Sequence, residues 1–409
     1  MRIAYLHQYF NTPDNVGSTR SYEIGRHLVK AGHEVHMITS DHARRFGKSR
    51  GWHISEEAGI KVYWLAVPYS HHMSYPQRVR SFLRFAWGAA LKAASLEADV
   101  ILATSTPLTI VLPALYAKAL RRTPMVFEVR DLWPAVPIAM GILKHPLLIA
   151  ASRWLEQVAY RNASQIVALS PDMKQAIARK GYPTSRIHVL PNGAGTAFFQ
   201  VSSEMGRRFR AHAEWLGERP LVVYAGTIGR VNGVGYLAKL AAITQSLNPD
   251  IRFLVVGDGV EKKQVLQLAN RLGVYGQNFF MLDPVPKRDI LTILSAADIA
   301  TSLVIDVPAL WANSANKFFE SLATGTPVAI NYRGWQAELL ERSGAGLVLH
   351  AEDVDGAAHS LAGAIADREW LRKAGTAART LARRYSWSVL SKQLEEILRS
   401  AAMSEPARR

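Results

Sequence analysis

Short continuous apolar runs alternate with longer amphipathic stretches along this chain, and the alternation starts afresh near the middle. In the first half the runs are Arg2–Leu6, Val35–Thr39, Lys61–Leu65, Val100–Ala103, Met125–Val129, Gln165–Leu169 and Ile187–Leu190. Each is bounded by turn residues and is too short for a stable helix, so each reads as a strand. Helical periodicity fills the gaps, as in Ser18–Lys30 and Asp172–Lys180. After the turn signal Pro191-Asn192-Gly193 and a charged stretch, Glu204–Glu218, strands are expected again at Leu221–Ala225, Arg252–Val256, Phe279–Leu282, Ile299–Ser302, Pro327–Ile330 and Gly346–Leu349. Gly233–Leu247 and Glu261–Leu272 read as helices between them. Strands alternating with helices make βαβ units and parallel sheets, so the fold class is α/β, with two Rossmann-like domains.

The 409 residues, 49% hydrophobic and 20% charged, suffice for two cores. The absence of cysteine excludes disulfide scaffolds, thiolate metal sites and cysteine nucleophiles. The start, Met1–Gln8, has too short an apolar run for a signal peptide. No apolar stretch reaches the roughly 18 residues of a membrane span; the run Leu108–Leu120 is cut by Pro113 and Lys118. A cytoplasmic protein is expected. The net charge of +16 favours anionic partners, although solubility alone accounts for it equally well.

Two glycine turns follow strands in the second half: Gly226-Thr227-Ile228-Gly229 and Gly257-Asp258-Gly259. Glycine lets backbone N–H groups come close to a phosphate, but tight βα turns use it as well. Neither turn is a G-x-G-x-x-G fingerprint, which argues against a nicotinamide cofactor. The segment Ala312–Val328 says more. A polar loop opens a helix at Asn316 and Lys317, where an anion meets both amide ends and a cation. Glu320, one turn further, suits the vicinal hydroxyls of a ribose. Helix capping explains these residue types too, but not their place at a strand's carboxyl edge, where open α/β sheets bind ligands.

With these residues the chain resembles glycosyltransferase family 4, the retaining transferases of GT-B fold, and within it the bacterial members that assemble O-antigens, capsules and exopolysaccharides. The resemblance runs through the Gly17 loop, Gly32-His33-Glu34-Val35, Phe127-Glu128-Val129-Arg130-Asp131-Leu132-Trp133-Pro134, Val167–Ser170, Val189–Gly193, Gly257–Gly259, the Asn316-Lys317 helix and Tyr385-Ser386-Trp387. It implies two domains facing across a cleft. It makes Glu320 the second acid of the E-x7-E motif, which holds the ribose. Ala312 stands where the first acid belongs, leaving the amides of Asn313 and Ser314 to serve the donor sugar. Thr227 and Asn232 occupy positions that often carry Arg and Lys for the diphosphate, so Arg230 and Lys317 are the expected substitutes. Val285 falls where the base is held through backbone groups, and the Gly17 loop joins the donor site.

In the first domain the family usually places His where this chain has Arg130, before Asp131. Both follow the strand Met125–Val129 and are expected at the reaction centre; a turn-capping role for Asp131 is the alternative. His7, ending the first strand, is a candidate base or a structural histidine. Residues 75–96 form a candidate amphipathic helix in which Val79, Phe82, Leu83, Ala86 and Ala90 recur at helical spacing. Arg78, Arg80, Arg84, Lys92, Phe85 and Trp87 are interleaved. Such a helix suits an anionic membrane surface or a domain core with a solvated basic face, and the resemblance favours the membrane.

The resulting expectation is an acceptor-binding domain over 1–200, a nucleotide-sugar domain over 201–385, and a last helix over 386–409 that belongs to the second domain or crosses back to the first. The expected reaction moves a hexosyl group, with retention, from a nucleoside-diphosphate sugar (uridine being the expected base) to a sugar hydroxyl on a polyprenyl-diphosphate carrier. No cofactor is called for, and no acidic cluster suggests a metal. No nucleic-acid motif accompanies the charge. The expected location is the inner face of the cytoplasmic membrane. A non-hydrolysing UDP-sugar epimerase and a non-catalytic nucleotide-binding regulator are the competing readings.

Overall fold

The computed structural model describes residues 1–15, 17–41, 45–47, 51–67 and 73–404. The chain divides into two compact units, one comprising Met1–Thr12, Ser18–Pro191 and Trp387–Arg409, the other Pro13–Gly17 and Asn192–Ser386.

The first unit carries β1 (Arg2–Leu6), β2 (Glu34–Ser40), β3 (Trp52–Glu57), β4 (Ile60–Leu65), β5 (Val100–Thr104), β6 (Met125–Val129), β7 (Gln165–Ala168) and β8 (Ile187–Val189). They form one sheet in the order β3-β4-β2-β1-β5-β6-β7-β8. Pairing is parallel throughout except at the β3–β4 edge. Parallel strands covered on both faces read as unbroken apolar runs, which is why they stand out in the sequence. Ile3, Tyr5, Val35, Met37, Val62 and Trp64 share a core with Ile24 and Leu28 of the helix Arg20–Lys30 and with Leu390, Leu394 and Leu398 of the last helix, Trp387–Ser404. The alternate residues face the opposite layer, where Leu65 and Tyr63 meet Gly88 and Lys92 of the helix Tyr75–Ser95, and Phe127 meets Tyr160 of the helix Pro146–Asn162.

The second unit carries β9 (Leu221–Ala225), β10 (Arg252–Val256), β11 (Phe279–Leu282), β12 (Ile299–Ser302), β13 (Val328–Ile330) and β14 (Gly346–Val348), in the order β11-β10-β9-β12-β13-β14 and all parallel. The order reverses at β9, so the loops after β9 and β12 diverge at their carboxyl ends, where such sheets take their ligands. Among the described residues no helix is long and apolar enough to cross a membrane.

Three details add to the sequence reading. The strand β3 was not expected: its alternation, with Ile54 exposed, lacks an apolar run, and it exists because Ala58 and Gly59, both at positive φ, close a tight hairpin onto β4. The charged stretch 204–218 contains a helix, Ser203–His212, held by Arg210 on the Ala296 carbonyl and on Asp298. The division between units falls at Asn192 rather than at residue 200, because the Asn192 amide N–H donates to Ser314 Oγ at 2.9 Å and its side chain donates to the Ser314 carbonyl, both groups lying in the second unit.

Candidate functional site

In the second unit the two glycine turns pack directly on each other. Gly226 N–H donates to the Val256 carbonyl at 2.9 Å and Ile228 N–H to the Asp258 carbonyl at 2.8 Å. A Cβ on Gly257 would stand 1.9 Å from the Gly226 carbonyl oxygen, so no larger residue fits there. Gly226 opens space on its other side. A Cβ there would approach Lys317 Cε to 2.7 Å, which means the lysine lies flat across the turn.

Lys317 is the second residue of the helix Asn316–Thr324, which begins after β12 without a side-chain cap. Its first amides therefore keep the partial positive charge of an uncapped helix start. The ammonium stands 4.8 Å from the Tyr224 ring centroid and donates to the Tyr224 hydroxyl at 3.3 Å. That hydroxyl in turn donates to the Thr227 carbonyl at 2.6 Å, locking the ring under the lysine. Among the described residues no carboxylate pairs with Lys317. Desolvation pulls its ammonium down to about 8, only partly offset by the more distant Glu320 charge. A desolvated cation beside free helix amides is an anion receptor.

Glu320 lies one turn along the same helix and is 7% exposed. Its Oε1 is 2.5 Å from Lys287 Nζ. Lys287 opens the helix Lys287–Ala296, two residues after the half-buried Val285, and its ammonium lies 5.6 Å from the Phe198 ring centroid. Sequence reasoning missed Lys287, because the pair joins two helices through space. The one available signal was a basic residue just past a strand's carboxyl end.

The remaining positions separate. Asn316, Lys317, Glu320, Gly226 and Thr227 surround one helix start, and Arg230 is exposed on the loop after Gly226. Asn313 and Ser314 precede that helix but serve its loop. Asn313 donates its backbone N–H and its Nδ2 to the Leu310 carbonyl, and its own carbonyl accepts from Trp335 Nε1. Ser314 receives Asn192, as above. Ala312, where the resemblance called for an acid, is buried.

In the first unit Arg130 NH1 lies 3.1 Å from His7 Nε2, and NH2 donates to Ser18 Oγ at 3.2 Å. Its partners are neutral or only conditionally charged. Directly behind it, Arg20 donates through Nε and NH2 to Glu128 Oε1 at 3.0 and 2.7 Å, and Thr104 donates to Oε2. Both charged side chains are fully buried. Burial pushes the Glu128 carboxyl up, but Arg20 outweighs it and holds the group below its ordinary range. The pair thus neutralises itself, and Arg130 and its neighbour Asp131 are the charges that remain beside it. Asp131 follows, exposed; Gly17, which belongs to the second unit, is exposed with a φ of 132°. Among the described residues no three His, Cys, Asp or Glu side chains gather as a metal site.

Known proteins match both units. Residues 17–193 match the "Glycosyl transferase 4-like domain" family and residues 207–381 the "Glycosyl transferases group 1" family. The D-inositol 3-phosphate glycosyltransferase of Corynebacterium urealyticum is 30% identical over 298 residues, covering 66% of this chain and 67% of that one. Among solved structures, sucrose-phosphate synthase from Thermosynechococcus elongatus superposes with a TM-score of 0.80 at 17% identity, over 98% of this chain and 99% of that one. Anabaena HepE in complex with UDP-glucose superposes with a TM-score of 0.74 at 18% identity, over 98% and 100%. The two largely parallel sheets, the uncapped lysine-bearing helix start and both family matches lead to one conclusion: this chain belongs to the family 4 glycosyltransferases of GT-B fold.

Proposed function

We propose that the protein transfers a hexosyl group, with retention of configuration, from a uridine diphosphate sugar to a sugar hydroxyl on a polyprenyl-diphosphate-linked acceptor in cell-surface polysaccharide synthesis. The observation that carries the donor half is Lys317: a desolvated ammonium with no carboxylate partner among the described residues, at the amide end of an uncapped helix. A diphosphate would supply the missing anion. As the bond from sugar to diphosphate breaks, negative charge builds on the leaving oxygen, and a preorganised cation and amides stabilise that charge without reorganising. Arg230 on the neighbouring loop adds a second cation. Glu320, held at one oxygen by Lys287, keeps the other for the ribose hydroxyls, beside the Val285 backbone expected to hold the base. Solved HepE structures with UDP and with UDP-glucose support a uridine donor. The reaction is proposed to need no metal ion, its charge being met by Lys317, Arg230 and the helix amides.

Arg130 and Asp131 are proposed to serve the reaction centre from the first unit, with His7 orienting the Arg130 guanidinium. The guanidinium there is hydrogen-bonded to His7 and Ser18 rather than to a carboxylate among the described residues, which leaves it available to an anionic or hydroxylated substrate.

The test is turnover of a panel of UDP-sugars with and without bacterial lipid extract. UDP release that requires the extract, with the label moving into the organic phase, supports transfer to a lipid-linked acceptor. Isomerisation of the donor without extract would establish an epimerase instead, and tight UDP binding without turnover a regulator.

A further inference from the structure

One layer of the first unit is built from three neighbouring helices: Tyr75–Ser95, Val111–Arg121 and Pro146–Asn162. Their inner sides are small and buried. On the first, Phe85, Ala86, Ala89, Ala90 and Ala93 are buried. The apolar stripe expected from the sequence therefore divides. Ala86 and Ala90 turn inward, while Val79, Leu83, Trp87 and Leu91 form a separate line at intervals of four, and all four are exposed. The second helix repeats the pattern with Leu112, Tyr116 and Leu120, and the third exposes Leu147, Leu148 and Trp154. Trp87 is 67% exposed and Trp154 63%. Isolated exposed apolar side chains are ordinary, but rows of them on three adjoining helices are not.

The exposed charges on these three helices are all basic, and the nearest exposed carboxylate, Glu97 just past the end of the first, is paired with Arg2. Arg80, Arg84, Arg121, Arg122, Lys144 and Arg153 are exposed on or beside the three helices. Their one carboxylate, Glu156, is buried and committed to Lys180 and Tyr160. A soluble protein partner would have to be strongly acidic and apolar at once. An anionic bilayer offers both: tryptophan and leucine enter the headgroup boundary while arginines meet lipid phosphates.

We infer that this three-helix face is a docking surface for an anionic membrane, with Trp87, Leu83, Leu120 and Trp154 as its inserted anchors and Arg80 and Arg84 as its phosphate contacts. It extends the sequence expectation for residues 75–96 to two further helices, and it stands on the surface alone, independent of the chemistry proposed for the second unit.

The full chain is mixed with vesicles of phosphatidylcholine alone, or of phosphatidylcholine with phosphatidylglycerol, and floated on a density gradient. The protein is expected to float with the anionic vesicles only. Its tryptophan emission should shift to the blue and be quenched by brominated lipid. Replacing Arg80 and Arg84 by Ser should weaken partitioning about 25-fold, at about fivefold for each basic residue near the surface. W87S/W154S should abolish the spectral shift while leaving Tm and UDP affinity unchanged, since both side chains are largely exposed. Absence of binding to anionic vesicles, or equal binding by these variants, would overturn the inference. So would a stable dimer in solution that W87S/W154S dissociates, because a second copy would then cover the face. Vesicle binding that fails while extract-dependent UDP release persists would remove the surface and leave the transferase reading intact; the reverse pattern would do the opposite.

Discussion

Lys287 Nζ and Glu320 Oε1 stand 2.5 Å apart, joining the start of one helix to a point one turn into another, the two helices following different strands of the second sheet. The pair fixes the carboxylate expected to receive a ribose, from a residue that the sequence motif does not include. Lys287→Ala should therefore weaken UDP binding about fivefold to tenfold, the worth of one charge-assisted contact in a partly buried setting. Lys287→Arg should recover most of that loss. Calorimetric titration of UDP into the three proteins checks it, with 2′,3′-dideoxyuridine diphosphate, which lacks both ribose hydroxyls, as a control that should be indifferent to Lys287.

Lys317 gives nucleotide binding a pH signature. Its ammonium titrates near 8 in the free protein because burial disfavours the charge, and a bound diphosphate would return it toward the ordinary lysine value. Binding near pH 8 should therefore take up protons. Affinity should be full below that pH and fall by up to about tenfold between pH 7 and 9. Titration in buffers of different ionisation enthalpy measures the uptake, and Lys317→Met should abolish it.

The Arg20–Glu128 pair governs the stability of the first unit. Glu128→Ala would leave a buried guanidinium without its carboxylate, at a cost of about 3–5 kcal/mol. Glu128 titrates below its unfolded value. Its contribution is thus complete above about pH 4.5 and is lost as pH falls through the folded pKa. Urea unfolding of the wild type and Glu128→Ala at pH 7 and pH 4 should show the difference between them shrinking on acidification.

The contact of the two glycine turns leaves no room for a side chain. Gly257→Ala places a Cβ on the Gly226 carbonyl and should force the turns apart, lowering Tm by several degrees and weakening UDP binding with it. A thermal melt with and without UDP separates the two effects.

The proposed reaction needs no divalent ion. Exhaustive chelation should leave extract-dependent UDP release unchanged, and its loss with recovery on adding magnesium would refute that part of the account.

Both sheets were legible in the sequence because their strands are short apolar runs covered on two faces. At β3 the rule failed: an edge strand with Ile54 exposed carries no such run, and its pairing is set by the positive-φ turn at Ala58-Gly59. The lysine-bearing helix start was legible because Asn316, Lys317 and Glu320 are local in sequence. Lys287 was not, since its partner is brought to it only by the order of β11 and β12 in the sheet. The roles of Asn313 and Ser314 were equally hidden: their bonds to Leu310, Trp335 and Asn192 depend on how the loop closes. The last helix gave no sequence sign of its neighbours, because its apolar stripe would fit either core.

The central claim is that a diphosphate binds at the Asn316 helix start through Lys317. Calorimetric titration of UDP into the wild type and Lys317→Ala, matched in Tm, tests it most directly. The account predicts saturable binding by the wild type and a loss of about 10–100-fold in the variant, the worth of one charged contact to phosphate. Equal affinity in the two proteins would contradict it.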